Sequence, residues 1–265
     1  MRIYLRYLRS ECICSLLFAA ALFGFGYILV VMYPSFGKLQ ALKDYFKVMP
    51  TFIKALVGDE IIDFTTLKGF MTVEFFNTTW LYVMGVFSCL QAGSLVAEET
   101  EKKTLEILFS TTISRTGFII SKFAAFLTLL VFLSIASFVG IYLGMWQIGE
   151  QINEVLFFYV FLSGMICMAA IGSIGLLFSC VFNEQRRAIS MTLIVFFSLY
   201  LFNLFATLLE QYPTLKYFTL FYYYDASKIF KRGTICWPDI GILIVVFTIM
   251  LTSSIFTFRR KELYL

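Results

Sequence analysis

The 265-residue chain contains no histidine. That absence removes Ser-His-Asp and Cys-His hydrolysis, histidine-ligated haem and the usual zinc enzymes. It also disqualifies Glu98-Glu99 as part of an intramembrane protease site, which would need a histidine. Charge is scarce as well: Asp, Glu, Lys and Arg make up 14% of the chain, against 60% hydrophobic and 19% aromatic residues, where an average soluble domain has roughly 25% charged and 45–50% apolar. No G-x-x-x-x-G-K-[ST] phosphate loop occurs, so any ATP hydrolysis tied to this chain has to come from another polypeptide. The six cysteines suggest neither a disulfide framework nor a zinc site. Cys12, Cys14, Cys89, Cys167 and Cys180 lie in or beside apolar runs, which leaves Cys236 alone in a loop.

What is present is apolar sequence in long runs. Charged residues are missing from 12–37, 75–97, 123–149, 155–183, 188–209 and 240–258. Each run meets the need for about 20 apolar residues to cross a hydrocarbon core as a helix. The expected fold is an all-α membrane protein. It is one transmembrane domain over 1–265, with six transmembrane helices at about 12–34, 75–97, 121–146, 155–182, 188–209 and 240–258. Arg2, Arg6 and Arg9, then Lys102, Lys103, Arg115 and Lys122, then Arg186 and Arg187, then Arg259, Arg260 and Lys261 fall on one side of that topology. The flanks that carry them are short, so the positive-inside rule makes that side, and with it both termini, cytoplasmic. Lysines 38, 43, 47, 54 and 68 on the other side share a long segment with Asp44, Asp59, Glu60, Asp63 and Glu74, where the rule has little force. The net charge of +4 therefore resides in cytoplasmic flanks and calls for no nucleic-acid partner.

The basic start followed by an apolar run has the outline of a signal peptide. The run exceeds the usual h-region of about 7–15 residues, however, and no clear A-x-A site closes it, so it reads as a first span. The helical spacing of Arg2, Arg6 and Arg9 predicts an N-terminal interfacial helix ahead of it. The external segment 35–74 reads as an amphipathic helix, broken near Pro50, on the outer membrane surface. Segment 210–239 reads as an external aromatic loop, interfacial or partly re-entrant.

No span carries Asp, Glu, Lys or Arg away from its ends, so a proton relay at membrane depth is missing and the energy for uphill movement would enter from outside the membrane. In the second span Asn77, Ser88 and Gln91 are separated by 11 and 14 residues, close to whole α-helical turns, and share a face that must meet another helix or a water-filled path. Ser137, Gly140 and Gly144 in the third span, and Gly164, Gly172, Gly175 and Ser179 in the fourth, are small residues at spacings that allow close helix packing. The fifth span presents Phe196, Phe197, Tyr200 and Asn203, an aromatic face with one amide. Such a face lines a path for amphipathic molecules or touches lipid or a neighbouring helix.

Between the second and third spans stands GSLVAEETEKKTLEILFSTTISRTGFIISKF, residues 93–123. Leu105, Leu108, Phe109 and Thr112 occupy one helical face, and Glu98, Glu99, Glu101, Lys102 and Glu106 supply the polar remainder. Thr111, Ser114, Arg115 and Gly117 then break the helix before Lys122 opens the next span. The stretch is too polar to cross a bilayer and too short to be a domain. It has the size of a surface helix gripped by a partner, or of a plain solvated connector.

Here a resemblance adds to the residues. TLEILFSTTISRTGFIISKF is similar to the segment between the second and third spans of type-2 ATP-binding-cassette (ABC) permeases, where E-x-x-x-G-T-L-E-x-L-L-x-x-P-[IV]-S-R precedes a lysine that opens the next span. YFKVMPTFIKALVGDEIIDFTTLKGFMTVEFF resembles the first external segment of that family. YFTLFYYYDASKIFKRG and the terminal FRRKEL resemble its closing loop and end, so the similarity covers nearly the whole chain. Two positions depart from the pattern: Lys103 stands where the family has glycine, and Thr112 where it has proline. The resemblance implies that 98–120 is a cytoplasmic coupling helix segment docking on a separate ABC ATPase subunit, two copies per complex. The implied contacts are Glu98, Glu99, Thr104, Leu105, Glu106, Leu108, Ser110, Thr111 and Arg115. It further implies a second permease, identical or related, a bacterial plasma-membrane location, and ATP and Mg held by the ATPase, with no cofactor or metal on this chain. The path would run near Asn77, Ser88, Gln91, Phe196, Tyr200 and Asn203. The implied cargo is amphipathic peptide, including toxin- or bacteriocin-like peptides of the phenol-soluble-modulin type, with lipids or drugs next. A carrier or channel, and a non-transporting scaffold or sensor subunit, are the alternatives of another class.

Overall fold

The computed structural model describes residues 2–36, 66–105, 114–150, 153–209 and 213–261. Most of the expected outer amphipathic segment (37–65) and the middle of the charged stretch (106–113) lie outside the described residues. All regular structure among the described residues is helical. A short helix, α1 (Arg2–Ser10), leads into α2 (Cys12–Phe36). The second membrane helix is composite: α3 (Leu67–Met71), a π-helical stretch (Thr72–Trp80), α4 (Leu81–Ser94) and, after a break, α5 (Ala97–Glu101). Next come α6 (Arg115–Ile148), α7 (Glu154–Val181) and α8 (Gln185–Leu208), then a 3₁₀ turn (Pro213–Phe218), α9 (Leu220–Tyr223), α10 (Ala226–Arg232) and α11 (Trp237–Arg260). Six of these helices, with α3 to α5 counted as one, are long and apolar enough to cross a membrane. They are called spans 1 to 6 below.

Local chemistry sets the ends. Ser114 caps α6 by accepting from the Gly117 amide at 3.1 Å, and Asn153 caps α7 through Val155. Gly149, with φ 72°, closes α6 in a left-handed turn that glycine adopts at no steric cost. Pro238 lies in the first turn of α11, where its missing N–H costs nothing. The π-helical stretch satisfies itself in part through its threonines: Thr78 and Thr79 donate to the carbonyls of Val73 and Glu74, five residues back.

The small residues place the helices. A Cβ on Gly140 would sit 2.4 Å from the Phe23 carbonyl oxygen, and one on Gly144 2.9 Å from Val30, so spans 1 and 3 touch backbone to side. Gly164 receives the Trp80 ring and Gly172 the Phe126 ring. Through them span 4 sits against spans 2 and 3. The half of the core away from the basic flanks is aromatic: Phe76 meets Phe161 edge-on with centroids 5.2 Å apart, and Trp80 meets the same ring at 5.7 Å. The turn elements α9 and α10 fold into this end, with Phe221, Tyr224 and Ile229 buried.

Candidate functional site

The residues with chemistry beyond packing gather at the basic end of the bundle, where span 2 breaks. After Ser94 the helix is interrupted at Leu95 and Val96 and resumes as α5. An interruption frees backbone groups that lipid cannot satisfy. Ser179 of span 4 accepts from the Val96 and Ala97 amides at 2.8 and 2.9 Å. Lys122 of span 3 donates to the Leu95 carbonyl at 2.8 Å.

Lys122 is 3% exposed, which makes it the buried cation of this end. The same ammonium reaches Glu99 Oε1 at 3.0 Å, on the far side of the break. It lies 5.5 Å from the Tyr7 ring centroid and 5.3 Å from that of Phe118, so aromatic faces complete its surroundings. Thr104 donates to the other oxygen of Glu99. Tyr7 donates to Gln91 Oε1 at 2.5 Å, and Gln91 Nε2 donates to Glu11 Oε2 at 2.7 Å. Through these bonds α1 is tied to span 2, and a hydrogen bond of 2.9 Å between Tyr4 and Thr128 ties it to span 3.

The rest of the charged stretch reaches the remaining spans. Glu101 accepts from the Gln185 amide at 2.8 Å and so caps α8. Arg115 donates to the carbonyls of Arg259 at 3.1 Å and Lys261 at 2.8 Å, neutralising the C-terminal end of α11. Lys261 caps span 4 through the Cys180 carbonyl at 2.9 Å, and burial holds its ammonium below the usual lysine range. Lys102 pairs with Glu98 at 2.5 Å along α5, and the hydrogen bond to that carboxylate raises its pKa.

α5 ends in a Schellman turn: the Thr104 amide donates to Glu99 O at 3.0 Å and the Lys103 amide to Thr100 O at 3.1 Å. Lys103 sits at the left-handed position, with φ 53°. It occupies the place of the glycine in the pattern described above, so the turn is made here by a residue that pays about 1–2 kcal/mol for it.

Of the expected contact residues, Glu98, Glu99, Thr104, Leu105 and Arg115 are described, and all are engaged within the chain; Leu105 is buried. Glu106, Leu108, Ser110 and Thr111 lie outside the described residues. The polar residues exposed in the described part of the charged stretch are Glu101, Lys102, Lys103 and Ser114. Sequence reasoning named Lys122 only as the start of a span and Ser179 only as a small packing residue. Nothing in the sequence gave the break at Leu95, because its hydrogen-bond partners lie 27 and more than 80 residues away.

The six residues expected near a path are spread along the chain's own interfaces. Ser88 and Phe196 are buried, Ser88 donating to Met84 O and Phe196 packing on Gly85. Tyr200 meets Tyr82 with centroids 5.0 Å apart, and Asn203 accepts from Thr219 at 2.7 Å. Asn77 donates to Ser227 at 3.4 Å, far from Gln91 and its partners Tyr7 and Glu11. The shared face of Asn77, Ser88 and Gln91 presumed unbroken α-helical spacing, and the π-helical backbone over Thr72–Trp80 upsets that count. Among the described residues no group of three or more Cys, Asp or Glu is placed to hold a metal ion.

Residues 7–263 match the family model described as ABC-2 family transporter protein. The chain belongs to that family. It is thus a multi-pass membrane permease of an ABC transporter, the membrane component and not the ATPase, and it works with an ABC ATPase partner. No curated protein matches the chain.

Proposed function

We propose that this chain is the permease of an ATP-driven exporter in the bacterial plasma membrane, with the basic end and both termini in the cytoplasm, and that segment 98–120 docks on the ATPase. Two ATPase subunits and a second permease, identical or related, complete the machine. The observation that carries the reading is the break after Ser94, from which a short charged helix leads off: its Glu99 pairs with Lys122 of span 3, its Glu101 caps span 5, and Arg115 beyond it caps span 6. Within the contact set, Glu99, Thr104, Leu105 and Arg115 hold the segment to the bundle. Glu98, Glu106, Leu108, Ser110 and Thr111 meet the ATPase, carboxylates against its cationic groups and leucine in an apolar groove. ATP-driven closure of the ATPase pair then biases the bundle between two states.

Cargo crosses between the two permeases. With spans free of central charge and rich in aromatics, the cargo is amphipathic peptide of the toxin or bacteriocin kind. The test is co-purification with the ABC ATPase encoded in the gene neighbourhood, followed by ATP hydrolysis with and without cationic amphipathic helical peptides. Stimulation by peptides supports the reading; stimulation by lipids or drugs alone moves the cargo to those classes. Transport by the lone permease against a gradient would overturn it. Reversing the charge of Glu98 and Glu106 is expected to abolish co-purification.

A further inference from the structure

We propose that Lys122 is a positioning residue for ATP-driven transport, a single cation bridging both sides of the span 2 break so that movement of the docking segment is delivered to span 3. The proposal rests on the docking reading above and adds the route by which force leaves the docking site. A break in a helix is ordinarily a hinge, and a hinge absorbs motion rather than passing it on. This one is fastened. Lys122 Nζ holds the Leu95 carbonyl at 2.8 Å on the membrane side and Glu99 Oε1 at 3.0 Å on the docking side. Ser179 holds the two free amides of the same break from span 4. Tilting α5 therefore either drags the N-terminal end of span 3 with it or strands a buried ammonium and unpaired backbone groups, and the second course is the costly one.

What receives the pull is stiff. Span 3 runs unbroken from Arg115 to Ile148 and is locked to span 1 where Gly140 and Gly144 leave no room for a Cβ. α1 is joined to the same unit by Tyr4 and Thr128. Spans 1 and 3 with α1 thus form one body, and Lys122 is the side chain by which that body grips both sides of the break.

The test uses the full permease co-purified with its ATPase and compares hydrogen exchange in the nucleotide-free and ATP–vanadate states. In the wild type, nucleotide is expected to change exchange in 97–105 and also in α1 and the first turns of span 3. Lys122→Met should still co-purify and keep the change in 97–105 but lose it in α1 and span 3. Lys122→Arg, which can reach both acceptors, should restore it. Propagation in Lys122→Met equal to wild type overturns the proposal, as does a wild-type change confined to 97–105. Should Lys122→Met fail to assemble, Ser179→Ala decides. It is expected to raise exchange at Val96 and Ala97 about five-fold and to weaken the response in span 3, and no change in either sinks the idea. Failure of the wild type to retain the ATPase would instead strike the docking reading.

Discussion

Span 2 (Leu67–Glu101) and span 6 (Trp237–Arg260) are both apolar enough to cross a bilayer, yet 78% of the apolar window of span 2 is buried inside the bundle and only 17% of that of span 6. The more buried helix is the less apolar of the two. A helix facing lipid has to be apolar all round its surface, because no partner exists there for a polar group. A helix enclosed by others can carry Asn77, Ser88 and Gln91, since short elements packed on it or its own backbone supply the partners. Between these two spans, enclosure by the bundle goes with lower hydropathy. The break and its charges belong to the span that hydropathy ranks last.

The contrast can be tested from its strongest point downward. Glu99→Ala strands the buried Lys122 and should cost about 3–5 kcal/mol, read as a lowered thermal midpoint in detergent. An unchanged midpoint would mean that the ammonium does not depend on its partner. Trp80→Ala empties the centre of the outer aromatic cluster and should cost about 3 kcal/mol. Trp237→Ala on span 6, 75% exposed, should leave the midpoint almost in place, within about 0.5 kcal/mol. The same split is expected of glycines. Gly164→Leu collides with Trp80, whose ring lies 2.4 Å from the added Cβ, at a cost of about 1–3 kcal/mol. Gly241→Leu meets nothing within 4 Å and should be silent; if both are silent, spans 2 and 4 are not packed as described. Smallest is Lys103→Gly, which relieves the left-handed residue and should stabilise by about 1 kcal/mol, while Lys103→Val should do the reverse.

Much of this molecule is legible in its sequence. Runs of uncharged residues gave the spans, because the hydrocarbon core excludes charge whatever the partners. The glycines at 140, 144, 164 and 172 gave close approaches, although not to which helix. The charged stretch stood out as a docking candidate, and its kinship to ABC-2 permeases was carried by motifs in order along the chain. Other features were hidden. Ser179 reads as a packing residue in any helical projection, and only its neighbour across the bundle makes it an acceptor. Gln91 carries no sign in the sequence that Tyr7 and Glu11 are its partners. The π-helical turn leaves no mark in composition, so the sequence gives no warning that the α-helical count fails around Asn77.

Sequence by itself determined that the chain enters a membrane, how many times it can cross, which end is basic and which family it joins, since these follow from transfer of side chains between water and lipid and from local motifs. Only the tertiary structure decided which span is enclosed, where it breaks and which distant side chains mend the break. Those outcomes depend on pairs of groups far apart in the chain, and hydrogen bonds between buried groups are fixed by packing, not by the order of residues.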